Sequence, residues 1–221
     1  MLKAIVFDLD NTLVDFMGMK TRAVDAAIDA MVDAGIGLDR DEVKSRIDAI
    51  YKERGIEYQQ VFDDLIYDIF QKLDHRILAS GIIAYRRARE AALKPYPHVT
   101  ATLVELVRRG VKLAVLTDAP SREAWLRLCY INFHHLFSVA VTFDDTQEHK
   151  PSKKPFLKVL EMLGTKPDET LMVGDWPERD IVGAKAVGMK TAFARYGDTF
   201  GRHDHGADYE LKSIADLLTL L

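Results

Sequence analysis

The chain predicts a doubly wound parallel α/β sheet with a small α-helical lobe inserted after the first strand, on three observations. Four apolar residues in a row, Ala4-Ile5-Val6-Phe7, read as a strand buried on both faces, the kind found at the centre of a parallel sheet. From Val14 to about Leu93 the apolar period is helical throughout. Beyond Pro97, short apolar runs alternate with helical segments at the spacing of βα units, which close into a sheet through right-handed crossovers.

The elements follow in order. Val24, Ala27, Ile28 and Met31 recur at helical spacing, and Gly35 and Gly37 stop that first helix. Asp39, with Glu42 three residues on, is an N-cap with a capping-box partner. It opens a helix whose face is Val43, Ile47, Ile50 and Tyr51, ending near Gly55. Phe62, Leu65, Ile66, Ile69, Phe70 and Leu73 mark a third, strongly amphipathic helix. A fourth runs from about Ile77 to Leu93, and Pro95 and Pro97 mark a boundary. Arg86, Arg87 and Arg89 read as a solvated face. Four helices with short links make a small bundle.

After the boundary, a helix from Val99 to about Arg109 leads to a strand at Lys112–Thr117. Ser121 is expected to cap a helix through about Tyr130, and Val139–Thr142 is a third strand. A helix follows Pro155, Leu171–Val173 is a fourth strand, and Ile181–Val187 lies in the next helix. Lys190–Ala194 is a fifth strand, and the tail holds a short edge strand at Tyr209 and Leu211 and a closing helix.

Composition narrows the function. At 221 residues, 48% hydrophobic and 29% charged, the chain has the profile of a globular protein with room for a good core. A net charge of −4 gives no electrostatic footprint for nucleic acid or an anionic membrane. A single cysteine, Cys129, excludes an internal disulfide and a multi-thiolate metal site. It stands among Leu126, Leu128 and Ile131, so a buried, inert thiol is expected. No apolar run approaches the 20 or so residues of a transmembrane helix. The expectation is a cytoplasmic protein, monomer or homodimer, acting on a small molecule.

The chemistry lies at the strand ends, where open α/β sheets bind their ligands. The first strand ends at Asp8, with Asp10 two residues on, and the second ends at Thr117. The fourth ends at Gly174-Asp175, with Asp180 five residues later, and Lys150 lies in the loop after the third. Singly, each has a plain alternative as a turn, a surface loop or a helix cap favoured by the dipole. Together they place several carboxylates, a hydroxyl and an ammonium along one edge of one sheet. Clustered carboxylates without Cys or His suit a hard cation, above all Mg²⁺. A hydroxyl, free backbone N–H groups and a lysine suit a phosphate. A carboxylate beside a phosphoryl group can attack it, and a second can protonate the leaving oxygen and then activate water. One residue between Asp8 and Asp10 in an extended chain puts both side chains on the same side.

These residues resemble the haloacid dehalogenase superfamily, in its phosphatase branch with a helical cap. Asp8-Leu-Asp10-Asn-Thr12 resembles the first motif of that family, and Leu116-Thr117 the second. Lys150-Pro151 with Phe156 resembles the third, and Val173-Gly-Asp175-Trp-Pro-Glu-Arg-Asp180 with its Gly and Ala successors the fourth. The resemblance covers nearly the whole chain. It implies a Rossmann-like core at residues 1–15 and 95–221 and a cap domain at residues 16–94. It implies Asp8 as nucleophile and Mg²⁺ ligand, and Asp10 as general acid/base with its carbonyl on the metal. Thr117 would hold a phosphoryl oxygen, Lys150 would orient Asp8 and stabilise transferred charge, and Asp175 would bind Mg²⁺, with Asp180 reaching it directly or through water. Asp118, on the substrate side next to Thr117, stands where many relatives have Asn, and Trp176 replaces a small residue.

The expected activity is hydrolysis of a small phosphate monoester. Asp10 argues against a dehalogenase, which needs no acid there. A phosphonate hydrolase would need an imine-forming cap lysine, for which Lys20 and Lys44 are available. A phosphomutase uses the same core. A phospho-Asp receiver shares the Asp, Thr and Lys set but is about half this length and lacks the helical lobe. A non-catalytic binding protein fits poorly with Asp8, Asp10, Lys150 and Asp175 all intact.

Overall fold

The Ala4–Phe7 run forms β1, and none of its four residues has exposed surface. The structure, a computed structural model, describes residues 2–202 and 204–220. Around β1 lie β2 (Lys112–Leu116), β3 (Val139–Val141), β4 (Thr170–Gly174), β5 (Lys190–Ala194) and β6 (Tyr209–Leu211). The sheet order is β3-β2-β1-β4-β5-β6, and every neighbouring pair is parallel. β1 pairs on one side with β2 and on the other with β4, so the strand order reverses at β1/β4. Loops leaving the carboxyl ends of those two strands therefore part and leave a crevice. The fold is a doubly wound parallel α/β sheet with a helical insert between β1 and β2.

The chain divides into two compact units, residues up to 17 with those from 93 onward, and residues 18–92. The second holds α1 (Phe16–Asp33, beginning just before it), α2 (Arg40–Arg54), α3 (Val61–Phe70) and α4 (His75–Ala92). Their apolar stripes meet in one core that includes Ile28, Met31, Ile47, Phe62, Leu65 and Ile77. Asp39 caps α2 by accepting from the Glu42 amide at 2.9 Å, but the Glu42 carboxylate pairs with Arg46 instead of completing a capping box. α3 stops at Phe70 and Leu73 lies exposed beyond it, because Gln71 turns left-handed and ends the helical period. Lys20 is a buried charge of this unit, donating to the Tyr85 hydroxyl at 3.1 Å with the Tyr51 ring 4.5 Å away.

In the first unit, α5 (Val99–Arg108), α6 (Ser121–Tyr130), α7 (Phe143–Thr146), α8 (Lys153–Leu163) and α9 (Val182–Ala186) alternate with the strands. The ends of the insert are tied together within it. Val14 bridges Pro95 in antiparallel sense, and the Tyr96 amide donates to the Leu13 carbonyl at 3.0 Å. No helix among the described residues is long and apolar enough to cross a membrane.

Two local expectations need correction. Cys129 is exposed, not buried: the buried stripe of α6 is Ala124, Arg127 and Leu128, and residues 126 and 129 fall off that face. Ser121 does not cap α6. It is the first helical residue, its amide donating to Asp144 and its hydroxyl meeting Thr142. The helix expected at Ile181–Val187 is present as α9, preceded by a single wide π turn at Pro177–Ile181.

Candidate active site

The carboxyl end of β1 sets the position of the first carboxylate. The Asp8 amide continues the sheet ladder by donating to the Val173 carbonyl at 2.9 Å. The chain then turns sharply, with Asn11 in the left-handed region (φ 58°), and the Asn11 side chain accepts from the Met17 amide. Asn has a low cost in that conformation. The Asn11 carbonyl packs where a side chain on Gly197 would have to lie, so that glycine admits the turn.

β4 supplies the second end. The Thr12 hydroxyl donates to Asp175 Oδ1 at 3.0 Å. The π turn brings Asp180 back toward the strand: its carboxylate accepts from the Trp176 amide at 3.0 Å, and its own amide donates to the Trp176 carbonyl at 2.7 Å. A Cβ on Gly174 would strike the Asp180 carboxylate, so the Gly-Asp pair at this strand end makes room for it. Lys150, from the loop between α7 and α8 and preceding a cis peptide to Pro151, donates to Asp8 Oδ1 at 2.8 Å and Asp180 Oδ1 at 2.6 Å. Its third acceptor is the Leu116 carbonyl at 3.3 Å. Asp8, Asp175, Asp180 and Lys150 are all buried.

One carboxylate oxygen from each of Asp8, Asp175 and Asp180 lies within 4.8 Å of the other two. Three buried acids thus face one ammonium. Burial, opposed by Lys150 and reinforced by Asp180 and Asp10, pushes the Asp8 carboxyl up to about 7. Burial, and then Asp8 and Asp180, hold Asp175 well above the ordinary carboxylate value. Burial works against the Lys150 ammonium too, but Asp180 and Asp8 outweigh it and keep the lysine charged. The excess of negative charge and the all-oxygen donor set fit a hard divalent cation.

The other expected residues fall around this cluster. Asp10 is outside the triad, and its Oδ2 accepts from Arg127 Nη1 at 2.9 Å. Thr117 is buried at the end of β2, its hydroxyl accepting from the Ala119 amide at 3.1 Å. Both Asp118 oxygens are engaged within the protein, Oδ1 by the Lys150 amide at 2.9 Å and Oδ2 by Arg179 Nη1 at 3.1 Å. The same Arg179 guanidinium lies 3.9 Å over the Trp176 ring. The two departures from the family pattern, Asp118 and Trp176, thus meet at one arginine.

Four contributors escaped the sequence reading: Thr12, Arg127, Arg179 and Tyr196. Tyr196 donates to the Thr12 carbonyl at 2.9 Å and stacks edge-on against Tyr96. Thr12 had a signal in its motif, and Arg127 had one as a charge on the apolar stripe of α6. Arg179 and Tyr196 depend on chain segments that only the fold brings near.

The pattern of haloacid dehalogenase-like hydrolases matches residues 2–188. The chain is 35% identical to the glyceraldehyde 3-phosphate phosphatase of Methanocaldococcus jannaschii, over 100% of this chain and 97% of that protein. It is 34% identical to pyrophosphatase PpaX of Halalkalibacterium halodurans over 70% of this chain and 74% of that one. Among solved structures, the HAD phosphatase from Thermococcus onnurineus is similar at a TM-score of 0.73 and 27% identity, covering 99% of this chain and 97% of that one. On motif order, sheet topology, acidic cluster and full-length similarity alike, the chain is an enzyme of the haloacid dehalogenase-like hydrolase family.

Proposed function

We propose that the protein is a cytoplasmic, Mg²⁺-dependent phosphatase that hydrolyses a small phosphate monoester through an aspartyl phosphate on Asp8. The observation that carries this reading is the buried set of Asp8, Asp175 and Asp180 around Lys150 at the β1/β4 crevice. Asp8, Asp175 and Asp180, with the Asp10 carbonyl, would hold the cation, which would offset phosphoryl charge. Residues 1–15 and 95–221 serve as the catalytic core and residues 16–94 as its cap domain.

In the first step an Asp8 oxygen forms a bond to phosphorus while the bond from phosphorus to the leaving oxygen breaks. Asp10 gives that oxygen a proton. Thr117 donates to a phosphoryl oxygen, and Lys150 holds Asp8 in line and stabilises the transferred charge. In the second step Asp10 takes a proton from a water that attacks phosphorus, and Asp8 leaves as carboxylate. Asp118 contributes by fixing the Lys150 loop through its backbone amide.

Full-length similarity to glyceraldehyde 3-phosphate phosphatases makes a three-carbon aldehyde phosphate the first substrate to try. Phosphate release should be measured from glyceraldehyde 3-phosphate, glycerol 3-phosphate and inorganic pyrophosphate, with Mg²⁺ and with excess EDTA. The expected result is Mg²⁺-dependent release from the monoesters. Full release by metal-stripped protein in EDTA would overturn the metal's role, and release from pyrophosphate alone would overturn the monoester assignment. Conversion of a sugar 1-phosphate to its 6-phosphate without free phosphate would assign a mutase.

A further inference from the structure

The inward stripe of α6 is Ala124, Arg127 and Leu128, at i, i+3 and i+4, where an aliphatic residue is the ordinary occupant of the middle position. A guanidinium there is costly to desolvate and persists only against a partner of opposite charge. The Arg127 side chain is 7% exposed, and its Nη1 donates to Asp10 Oδ2 at 2.9 Å. The Phe16 ring lies 4.5 Å from its central carbon. Three segments meet there: the turn after β1, the first residue of α1, and α6.

We infer that Arg127 is a positioning residue for Asp10, fixing the carboxylate in the orientation from which it exchanges a proton with the leaving oxygen and with water. The inference rests on the proposed acid/base role of Asp10. A charge-assisted bond from a planar guanidinium constrains direction as well as distance, which a lysine or a neutral side chain does less well. Packing of Arg127 against Phe16 limits how far the guanidinium can follow if Asp10 swings. Arg127 itself touches no reacting atom in this scheme. The competing account is a plain structural pin between α6 and the β1 turn, and the two differ in what they do to leaving-group dependence. A pin that only supports the fold slows all esters alike, whereas misplacing the acid slows those whose leaving oxygen needs a proton.

The test is a single-turnover measurement of alcohol release with Mg²⁺, from glycerol 3-phosphate and from p-nitrophenyl phosphate. It compares the wild type, Asp10→Asn, Arg127→Met, Arg127→Lys and the Asp10→Asn/Arg127→Met double variant. Arg127→Met should slow the alkyl ester about tenfold more than the activated one, a fraction of the about 10²–10⁴ carried by a general acid. Arg127→Lys should recover part of that loss. In the Asp10→Asn background Arg127→Met should add less than about twofold, since residues acting as a unit are not additive. Equal slowing of both esters by Arg127→Met, or losses that multiply in the double variant, would overturn the inference while leaving the Asp10 role intact. Equal slowing of both esters by Asp10→Asn alone would remove the acid reading and the inference with it. Should Arg127→Met fail to fold, Arg127→Lys decides: a selective loss on the alkyl ester supports positioning, and an equal loss or none on either ester refutes it.

Discussion

In the helical unit Ile28, Met31, Ile47 and Leu65 are removed from water completely, and the ion pairs of Arg40, Lys44 and Arg46 with nearby acids lie in solvent. At the carboxyl edge of the sheet Asp8, Asp175, Asp180 and Lys150 are almost as deeply buried as those aliphatic side chains. The same degree of burial is reached by opposite means. Helix packing is close to non-directional, so several sets of apolar residues of the right volume can fill such a core. Buried charge has to be met by specific donors at specific distances, and the ends of adjacent parallel strands deliver those from far apart in sequence. Lys150 and Asp8 are 142 residues apart and lie 2.8 Å from each other.

The contrast can be broken first where it is strongest. Asp8→Asn should bring phosphate release to background with any monoester, since no neighbouring group replaces the nucleophile; retained turnover would refute the aspartyl phosphate. Lys150→Met leaves the three acids without their ammonium. It should cost about 3–5 kcal/mol of stability in chelator, read from denaturant melts, with Mg²⁺ restoring part of it. On the other side, Leu65→Ala should cost about 2–5 kcal/mol by the same melts, through lost burial and the cavity left behind. Mg²⁺ should not selectively repair that variant.

A pH series sharpens the comparison further. The folded-state value of Asp8, about 7, lies above its ordinary 3.8. Its contribution to stability is therefore complete below about pH 4 and is lost as pH rises through about 7. In excess EDTA the melting temperature of Asp8→Asn should lie nearest the wild type at about pH 4 and exceed it increasingly toward pH 8. A gap that stays constant across that range would show that Asp8 is not carrying the raised value. The smallest effect is expected on the helical surface. Arg46→Gln removes exposed pairs with Glu42 and Asp68 and should move the melting temperature by no more than about 2 °C.

Much of this was legible from the residues because each element carried its own periodicity. The strands at Ala4–Phe7, Lys112–Leu116 and Lys190–Ala194 and the four helices of the insert stand where apolar spacing predicts them. The strand-end acids were legible for the same reason: a carboxylate that closes a buried run has few other places to be. What stayed hidden depended on which face a helix turns inward. Cys129 among apolar neighbours read as buried, yet α6 orients Ala124, Arg127 and Leu128 inward and leaves Cys129 and Leu126 in solvent. The Arg179 link between Asp118 and Trp176 was invisible because its 61-residue separation from Asp118 closes only through the sheet. The π turn at Pro177–Ile181 has no distinctive composition, so the segment before Ile181 read only as a helix cap.

The bridge between Val14 and Pro95 has a consequence for how such a chain can be rebuilt. The two chain ends that enter and leave the insert are already hydrogen-bonded side by side, at the separation a hairpin would close. The core therefore sees the insert much as it would see a long loop, whose length enters the closure entropy only logarithmically. A different helical domain, or a short turn, could occupy the same socket without asking β1 or the strand-end acids to move. Core and insert in this molecule are in that sense separately exchangeable parts, joined at a two-stranded seam.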